Sequence, residues 1–465
     1  MDLNLLKPHF EGRRIAILGF GKEGQSTFRY IRQILPAQEL IICDKNPDLE
    51  NNKPAGIQFT HTKWFVGSDY ACGLDKADMI MKSPGIPFRE IAGKINGKKL
   101  TSQTALFLEI AKKQVVGITG TKGKSTTASL LFQILKHGGK EAMLVGNMGI
   151  PCFDLIGQLS QKALVVFEMS SHQLEQIELS PHMAILLNIF EEHLDHYPSL
   201  EHYQQAKLNI ARWQEQGDVL ICNPRNVVIA NFLGTEKYPG TLISLTKTGK
   251  QKRFVDMIGN DLLFCAKDQE TCLENIATNR KLHGEHNLEN IKAAAAAAIL
   301  LGVEKDSILQ AVSDFGGLPH RLEYIGSFGQ IDYYNDSIAT IPEATIAALK
   351  TLPQTSTVIL GGKDRGIDYK PLVDFLSVSS LKTLVFTGKA GQRMLNLISE
   401  RVAEEDKKCL LARDFEDAVR MAVMHTPRGK TCLLSPAASS YDAFRNFEER
   451  GECFKRLVKS YSSNI

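Results

Sequence analysis

The sequence lacks any long apolar run and has little excess charge of either sign. Its longest apolar stretch, Ala293–Leu301, is mostly alanine and too short to span a bilayer. The start, Met1–Gly12, has no apolar core of the kind found in export signals. The net charge is only +3, so no broad basic surface for nucleic acid is predicted. We therefore expect a cytoplasmic protein without a membrane or nucleic-acid partner.

Paired cysteines are also missing. The nine cysteines are scattered, contain no C-x-x-C pair and are odd in number, which indicates reduced thiols rather than a disulfide framework. The chain of 465 residues is long enough for about three domains.

One stretch, Val115–Ser125, carries the clearest chemical signal. An apolar run predicts a buried strand, Thr126–Leu135 predicts a helix, and the loop between them is predicted to bind phosphate through backbone N–H groups. The residues of this loop are Gly120, Thr121, Lys122, Gly123, Lys124, Ser125 and Thr126. Lys124 can reach the outer phosphates of a nucleotide. A plain glycine turn is the alternative, but it would not need the Lys-Ser pair.

A second glycine motif lies near the N-terminus. Strand Arg14–Leu18 leads into Gly19–Gly24, which fits G-x-G-x-x-G, and a helix is predicted over about Gln25–Leu35. The next strand ends at Asp44, where an acid can bind a ribose. The motif is typical of sites for nucleotide diphosphates and does not distinguish NAD from a UDP-sugar. A βαβ turn that binds nothing is the alternative.

A further strand end lies in the same segment. Strand Ala77–Met81 leads into Lys82–Pro87, which contains Ser83 and Gly85, and ligands bind at such strand ends in open α/β sheets. Here a simple turn is the alternative. The polar segment Lys98–Gln103 is predicted to be the linker to a second domain.

Strand ends of the central segment carry carboxylates and histidines. Strand Ala163–Phe167 ends at Glu168, where a second magnesium ligand is expected beside a phosphate loop. A helix cap around Ser170 and Ser171 is the alternative. Strand Ala184–Ile189 is followed by a cluster that predicts a second metal site. Its members are Glu191, Glu192, His193, Asp195 and His196.

Other polar positions fall on predicted helices. Lys207 is a lone lysine on an otherwise mildly polar predicted helix, and the residues alone allow it to be simply a solvated side chain. Asn287 and Asn290 are predicted to lie in the first turn of an alanine-rich helix at about Leu288–Leu301; capping explains one, and contact with a nucleotide could explain the other. The region 219–280 predicts small strands and turns.

The C-terminal segment predicts a second doubly wound sheet after a joint at Gly316–Gly317. Its strand-end loops carry Arg321, Lys363, Arg365 and Ser440, which together suit an anionic substrate, although each alone could be a solvated surface group.

In this order, the motifs resemble those of the Mur ligases over nearly the whole chain. Thr119–Thr126 and the His286–Asn290 motif are typical of the family and are also similar to folylpolyglutamate synthetase. Other motifs resemble the branch that adds D-glutamate: Lys82–Ile86, Leu318–Arg321, Asn335–Ser337, Ser435–Ala437 and Asn446–Gly451. The Asp-Asn-Pro-Arg signature of the branch that adds a diamino acid is absent.

The resemblance implies an α/β protein of three domains. These are an N-terminal Rossmann-like UDP-binding domain (1–102), a central P-loop ATPase-type ATP-binding domain (103–317) and a C-terminal Rossmann-like amino-acid-binding domain (318–465). It implies a monomeric ligase that uses ATP and Mg²⁺ to add D-glutamate to UDP-N-acetylmuramoyl-L-alanine through an acyl phosphate, in peptidoglycan precursor synthesis.

The resemblance also implies roles for individual residues. The positions that match contacts to the UDP-linked substrate are Asp44, Ser83, Gly85 and Asn147. The positions that match the catalytic and metal residues are Lys124, Ser125, Glu168, His193 and Lys207, the last being the lysine that the family carbamylates. Asn290, Arg321 and Asp336 match nucleotide contacts, and Thr340, Arg365, Ser440 and Phe447 match the D-glutamate site.

Two positions depart from the family pattern, and three other functions compete. Ile338 replaces a usual lysine, and Glu192 replaces a common aspartate. A nicotinamide-dependent dehydrogenase would leave the phosphate loop unexplained. Folate polyglutamylation shares only the ATP core, and a non-enzymatic ATP-dependent scaffold is the third competitor.

Overall fold

The structure is a computed structural model that describes residues 1–54, 56–95, 97, 99–146, 150–192, 196–235, 237–247, 249, 252–266, 269–282, 284–402 and 407–462. The chain divides into two compact units, Met1–Phe315 and Gly316–Ile465. All nine cysteines are free thiols, as predicted. Among the described helices, none has the length and apolar character needed to cross a membrane.

The first sheet is built from the N-terminal elements. In chain order these are α1 (Lys7–Phe10), β1 (Ile15–Leu18), α2 (Lys22–Ile34), β2 (Leu40–Asp44), β3 (Thr62–Val66), β4 (Met79–Lys82) and β5 (Lys99–Thr101). All neighbours pair in parallel, in the order β3-β2-β1-β4-β5. The chain changes direction across the sheet between β1 and β4, so the carboxyl ends of these two strands border the crevice where such sheets bind ligands.

The prediction that Lys98–Gln103 is a linker was wrong. Lys99–Thr101 is the edge strand β5, and Ser102 caps the next helix, α3 (Gln103–Ala111), by accepting a hydrogen bond from Ala105 N at 3.1 Å. A strand of three residues at a sheet edge leaves Lys99 exposed, so it carries no apolar run that would reveal it.

The second sheet forms the centre of the first unit. Its elements are β6 (Val115–Thr119), α4 (Lys124–His137), β7 (Ala142–Gly146), β8 (Leu164–Glu168), α5 (Ser171–Leu174), β9 (Met183–Leu186), α6 (Leu200–Arg212), β10 (Val219–Cys222), α7 (Val227–Thr235), β11 (Thr241–Ser244), β12 (Phe254–Ile258), β13 (Asp261–Ala266), β14 (Gln269–Leu273), α8 (Glu285–Leu300) and α9 (Lys305–Asp314). The strand order is β14-β13-β12-β11-β10-β9-β6-β8-β7. β6 lies between β8 and β9 and is parallel to both, so the three predicted strand ends share one edge.

The alanine-rich helix is confirmed as α8, which packs against α4 in the core. Its alanines from Ala293 to Ala298 are fully buried, because small side chains allow close helix contact. The prediction that an asparagine caps it was wrong. The N-cap is Gly284, which has no side-chain cap, and Asn290 Nδ2 donates to Asn287 Oδ1 within the helix at 2.9 Å.

The second unit contains the predicted second doubly wound sheet. Its elements are β15 (Glu323–Phe328), β16 (Ile331–Asn335), α10 (Pro342–Thr351), β17 (Thr355–Gly361), α11 (Lys370–Val378), β18 (Thr383–Thr387), α12 (Gly388–Ser399), β19 (Lys408–Leu411), α13 (Phe415–His425), β20 (Thr431–Leu434) and α14 (Phe447–Ser462). The order is β15-β16-β20-β17-β18-β19, and among these described strands only the edge strand β15 is antiparallel to its neighbour. The central strands β16, β20 and β17 therefore end at the same edge.

Short 3₁₀ helices complete the described elements: Leu3–Leu6, Gly67–Lys76, Phe88–Glu90, Ala92–Lys94, Lys112–Gln114 and Cys152–Gln158.

Candidate active site

The phosphate-binding loop joins β6 to α4 as predicted. Gly123 has a φ of +89°, and a Cβ there would lie 2.3 Å from Asn290 Oδ1, so a side chain does not fit. Thr121 N donates to Asn188 O at 2.8 Å, and Lys122 N donates to Asn188 Oδ1 at 2.9 Å. These bonds fix the loop to the segment that follows β9.

Two lysine side chains meet beside this loop. Lys124 Nζ donates to Gly120 O at 2.8 Å and to Thr121 O at 3.0 Å. Lys207 Nζ, from α6, also donates to Gly120 O at 2.8 Å. Lys207 is only 1% exposed, so the alternative of a solvated side chain is wrong. Burial, together with the Lys124 cation, holds the pKa of Lys207 well below its ordinary value.

A buried carboxylate faces the start of α4. Glu168, at the end of β8, is 1% exposed, and its Oε1 accepts from Ser125 Oγ at 3.0 Å. Its Oε2 is buried and has no hydrogen-bond partner among the described residues. Burying such an oxygen is costly unless a cation or donor satisfies it. A hydroxyl and a carboxylate are oxygen ligands that magnesium prefers, so this pair fits the metal.

The helix cap proposed as an alternative nearby is also present. Ser170 and Gln173 form a capping box in which each side chain bonds the other's backbone N–H. Glu168 is separate from this cap, so the cap does not explain its buried oxygen.

Several predicted residues lie outside the described residues: Asn147, His193 and Asp195. Among the residues that the structure does describe, no three His, Cys, Asp or Glu side chains gather as a metal group. Glu192 instead pairs with Lys122 at 2.6 Å. The second metal site expected after β9 stays a prediction.

Asn290 supports the phosphate loop from behind. It is 5% exposed, and its Oδ1 accepts from Thr127 Oγ1 at 3.2 Å. This bond joins α4 to α8, and the same Asn290 oxygen leaves no space for a side chain at Gly123.

The three predicted residues of the N-terminal site that are described occupy one edge of the first sheet. Asp44 Oδ2 accepts from Phe20 N at 2.7 Å, and Ser83 Oγ donates to Gly19 O at 2.8 Å. Gly85 has open space around it. The amino end of α2 has no side-chain cap, so its N–H groups can meet an anion.

Sequence reasoning missed a buried ionic cluster beside this edge. Lys82, at the end of β4, is 5% exposed, and its Nζ lies 3.4 Å from Glu175 Oε2. Burial lowers the pKa of Lys82 and raises that of Glu23 to about 7, while the Gln173 side chain bonds Glu23. The only sequence signal was a lysine that ends a buried strand.

In the second unit, the residues matched to nucleotide contacts have different exposure. Asp336 is buried, and its carboxylate accepts from Ser435 Oγ at 2.8 Å and Leu322 N at 3.2 Å. Burial raises the pKa of Asp336 to about 6. Arg321 is exposed.

The residues matched to the amino-acid site lie in or next to the loops at the carboxyl edge of this sheet. Arg365 Nη2 donates to Thr340 O at 2.9 Å. Ser440 is 2% exposed, and Phe447 begins α14, where its carbonyl accepts from Ser337 Oγ at 2.8 Å.

Comparison with known proteins now decides the family. Residues 118–298 match the Mur ligase middle domain, and residues 320–438 match the Mur ligase glutamate ligase domain. The chain belongs to the Mur ligase family. The resemblance expected from the motifs is confirmed.

Relatives of the same family match almost end to end. A protein from Symbiobacterium thermophilum named UDP-N-acetylmuramoylalanine–D-glutamate ligase is 32% identical over 461 residues, covering 97% of this chain and 98% of the relative. A relative of the same name from Acetivibrio thermocellus is 31% identical over 470 residues, covering 98% of each chain.

Solved Mur ligase structures share the fold. The UDP-N-acetylmuramate-alanine ligase of Thermotoga maritima is 17% identical with a TM-score of 0.52, covering 97% of this chain and 100% of that one. The MurF ligase of Thermotoga maritima, solved with ADP, is 15% identical with a TM-score of 0.51, covering 98% and 96%. The α/β fold class expected for the chain is confirmed. The three expected domains correspond to three sheets, of which the first two lie in one compact unit.

Proposed function

We propose that this chain joins D-glutamate to UDP-N-acetylmuramoyl-L-alanine at the cost of ATP, as a step in peptidoglycan precursor synthesis. The observation that carries the proposal is the full-length similarity to relatives named for that reaction, at 32% identity over 97% of the chain. Membership of the family makes the chain an ATP-dependent amide-bond-forming ligase. We expect it to act as a cytoplasmic monomer, with domains at 1–102, 103–317 and 318–465.

The phosphate loop supports the ATP half of the reaction. Backbone N–H groups of the loop and the amino end of α4 would meet the phosphates, and Lys124 would offset their negative charge. Ser125 and Glu168 would hold magnesium, because Glu168 has a buried oxygen without a partner among the described residues. Magnesium, when bound, neutralises charge on the phosphates. His193, which lies outside the described residues, and a carbamylated Lys207 would complete this set.

The first chemical step forms an acyl phosphate. The alanine carboxylate of the UDP-linked substrate attacks the γ-phosphorus of ATP, a P–O bond forms, and ADP leaves. Two anions must approach each other, so the Lys124 cation lowers the barrier by offsetting their repulsion.

The second step forms the amide bond. The amine nitrogen of D-glutamate attacks the acyl carbon, inorganic phosphate leaves, and the nitrogen loses a proton to a base such as His193 or a nearby carboxylate. Thr340, Arg365, Ser440 and Phe447 would hold D-glutamate, and Asn290, Arg321 and Asp336 would contact the nucleotide.

The N-terminal sheet would hold the UDP group. Its uncapped α2 end suits a diphosphate, and Asp44, Ser83 and Gly85 lie at the same edge. Asn147, outside the described residues, would add a contact from the central domain.

The test is the rate of phosphate release from ATP with each substrate alone and with both. We expect release to require UDP-N-acetylmuramoyl-L-alanine and D-glutamate together, with L-glutamate and a diamino acid as inactive controls. Equal turnover with a folate substrate and glutamate, or ATP hydrolysis that ignores both substrates, would contradict the proposal.

A further inference from the structure

One of the largest fully buried side chains described in the second unit is an arginine that the reaction scheme does not use. Arg450, on α14, is 2% exposed. Its Nε donates to Ser337 Oγ at 3.0 Å and its Nη2 to Ser337 O at 2.8 Å. Its Nη1 donates to Ala438 O at 3.1 Å. The guanidinium therefore joins the segment after β16 to the segment after β20.

A third segment closes over the same group. A Cβ at Gly362, after β17, would lie 3.2 Å from Arg450 Nη1 and 2.3 Å from Ser439 O, so the backbone passes directly against the guanidinium. Lys363 N donates to Ser439 O at 2.8 Å, which ties this segment to the one after β20. The guanidinium of Arg450 thus lies against the segments that follow all three central strands, β16, β20 and β17.

These three segments lead to the residues proposed to hold D-glutamate. Thr340 follows Ser337, Arg365 follows Gly362, and Ser440 follows Ala438 by two residues. Arg365 Nη2 also donates to Thr340 O, so two of the segments meet above the buried group. A shift of any segment would change the distances between these side chains.

The arginine is held by neutral oxygens rather than by an acid. Among the described residues, no carboxylate lies within ion-pair distance of Arg450; the Asp442 carboxylate acts on it only from farther away, and burial lowers the pKa of Arg450 to about 10. Burying a cation without a paired anion is costly, and hydrogen bonds to oxygens only partly offset that cost. The planar guanidinium reaches acceptors on two segments at fixed angles, which the single ammonium group of a lysine could not do.

The next residue, Gly451, also lies close to the end of β16. A Cβ at Gly451 would lie 2.1 Å from His320 Nδ1 and 2.9 Å from Asn335 Nδ2, so no side chain fits there. Ser337 Oγ also donates to Phe447 O at 2.8 Å. The first turns of α14 therefore pack directly against the end of β16.

We propose that Arg450 is a positioning residue for the amide-forming step, because its guanidinium sets the spacing of the three loops that receive the amino acid. This inference rests on the proposed function and adds a determinant that does not itself touch the substrate. It assigns the acidic amino acid, rather than ATP or the UDP-linked substrate, as the ligand whose binding depends on Arg450.

The test compares Arg450→Met, Arg450→Lys and Ser337→Ala with the wild type. We expect Arg450→Met to raise the KM for D-glutamate about 10- to 100-fold, because small misplacements of binding groups have effects of that order. Arg450→Lys keeps the charge but not the fork, so its effect should be smaller. Ser337→Ala removes one acceptor and should raise the same KM least, while the KM of the UDP-linked substrate stays near the wild-type value in all three.

A second readout separates positioning from general damage. Isotope scrambling within ATP, in the presence of the UDP-linked substrate but without D-glutamate, reports the first step alone. We expect scrambling to persist in each variant, with Arg456→Ala, an exposed arginine on the same helix, as the matched control.

Two outcomes would overturn the role of Arg450. One is an unchanged KM for D-glutamate in folded Arg450→Met. The other is a loss of scrambling together with a rise in the KM values for ATP, the UDP-linked substrate and D-glutamate alike, which would mark a merely structural residue. If Arg450→Met does not fold, Arg450→Lys and Ser337→Ala decide by the same criteria. Wild-type protein that turns over without D-glutamate would instead defeat the proposed function.

Discussion

The ammonium groups of Lys124 and Lys207 both lie 2.8 Å from the carbonyl oxygen of Gly120. Two cations at one oxygen disfavour each other, and Lys207 is the more deeply buried of the two. The lowered pKa of Lys207 favours its neutral amine. A neutral amine is the form that adds carbon dioxide, and the carbamate formed would place an anion beside Lys124.

We therefore expect Lys207→Ala to lower ligase turnover by about 10- to 100-fold, the scale seen when a group that supports a metal site is removed. Acetate or formate should restore part of the rate by replacing the missing anion. Lys207→Arg, which keeps a cation but cannot be carbamylated, should be as inactive as Lys207→Ala.

The measurement is the rate of phosphate release at saturating substrates, with the exposed Lys136→Ala as control. Wild-type activity in Lys207→Arg would contradict a carbamate at this position.

The phosphate loop predicts a sharp glycine requirement. Gly123→Ala places a methyl group 2.3 Å from Asn290 Oδ1 at a φ of +89°, so the loop must move. We expect the KM for ATP to rise at least about tenfold, since the displaced N–H groups no longer meet the phosphates. Gly139→Ala is the matched control, because Gly139 has a φ of +67° but open space around it. Equal KM values for ATP in both variants would count against the loop as the phosphate site.

The cluster at Glu23 predicts a pH dependence of stability. Burial raises the pKa of Glu23 from 4.5 to about 7, so between these values the folded chain keeps a proton that the unfolded chain has lost. The free energy of unfolding should therefore fall as the pH rises through that window, by up to about 3 kcal/mol from this group. Glu23→Gln cannot ionise and should lose this fall.

The check is the melting temperature of wild type and Glu23→Gln at pH 5 and pH 8. The variant should gain stability relative to wild type at pH 8 but not at pH 5. The exposed Glu50→Gln should show no such difference. If the melting temperatures of wild type and Glu23→Gln differed by the same amount at pH 5 and pH 8, Glu23 would not be the titrating group.

The strand ends that carry the candidate site could be predicted because each follows a buried apolar run. Val115–Thr119 and Leu164–Glu168 are such runs. They pair with each other in parallel, so their carboxyl ends lie side by side and Ser125 meets Glu168. The sequence pattern thus located the phosphate loop and the acid beside it.

Other features depend on contacts that local patterns do not contain. The burial of Lys207 comes from the packing of α6 under the loop, and a single lysine on a mildly polar helix gives no sign of it. α7 (Val227–Thr235) was missed among strands and turns. The pairing of Asn287 with Asn290 replaced the predicted cap, because Gly284 begins the helix without one.

The central claim is that a carboxylate is phosphorylated before it is amidated, and isotope transfer tests it most directly. UDP-N-acetylmuramoyl-L-alanine labelled with ¹⁸O in the alanine carboxylate is turned over with ATP and D-glutamate, and the inorganic phosphate is analysed by mass. An acyl phosphate route predicts one labelled oxygen in each phosphate released. Phosphate free of the label, with amide product formed at the normal rate, would contradict the account.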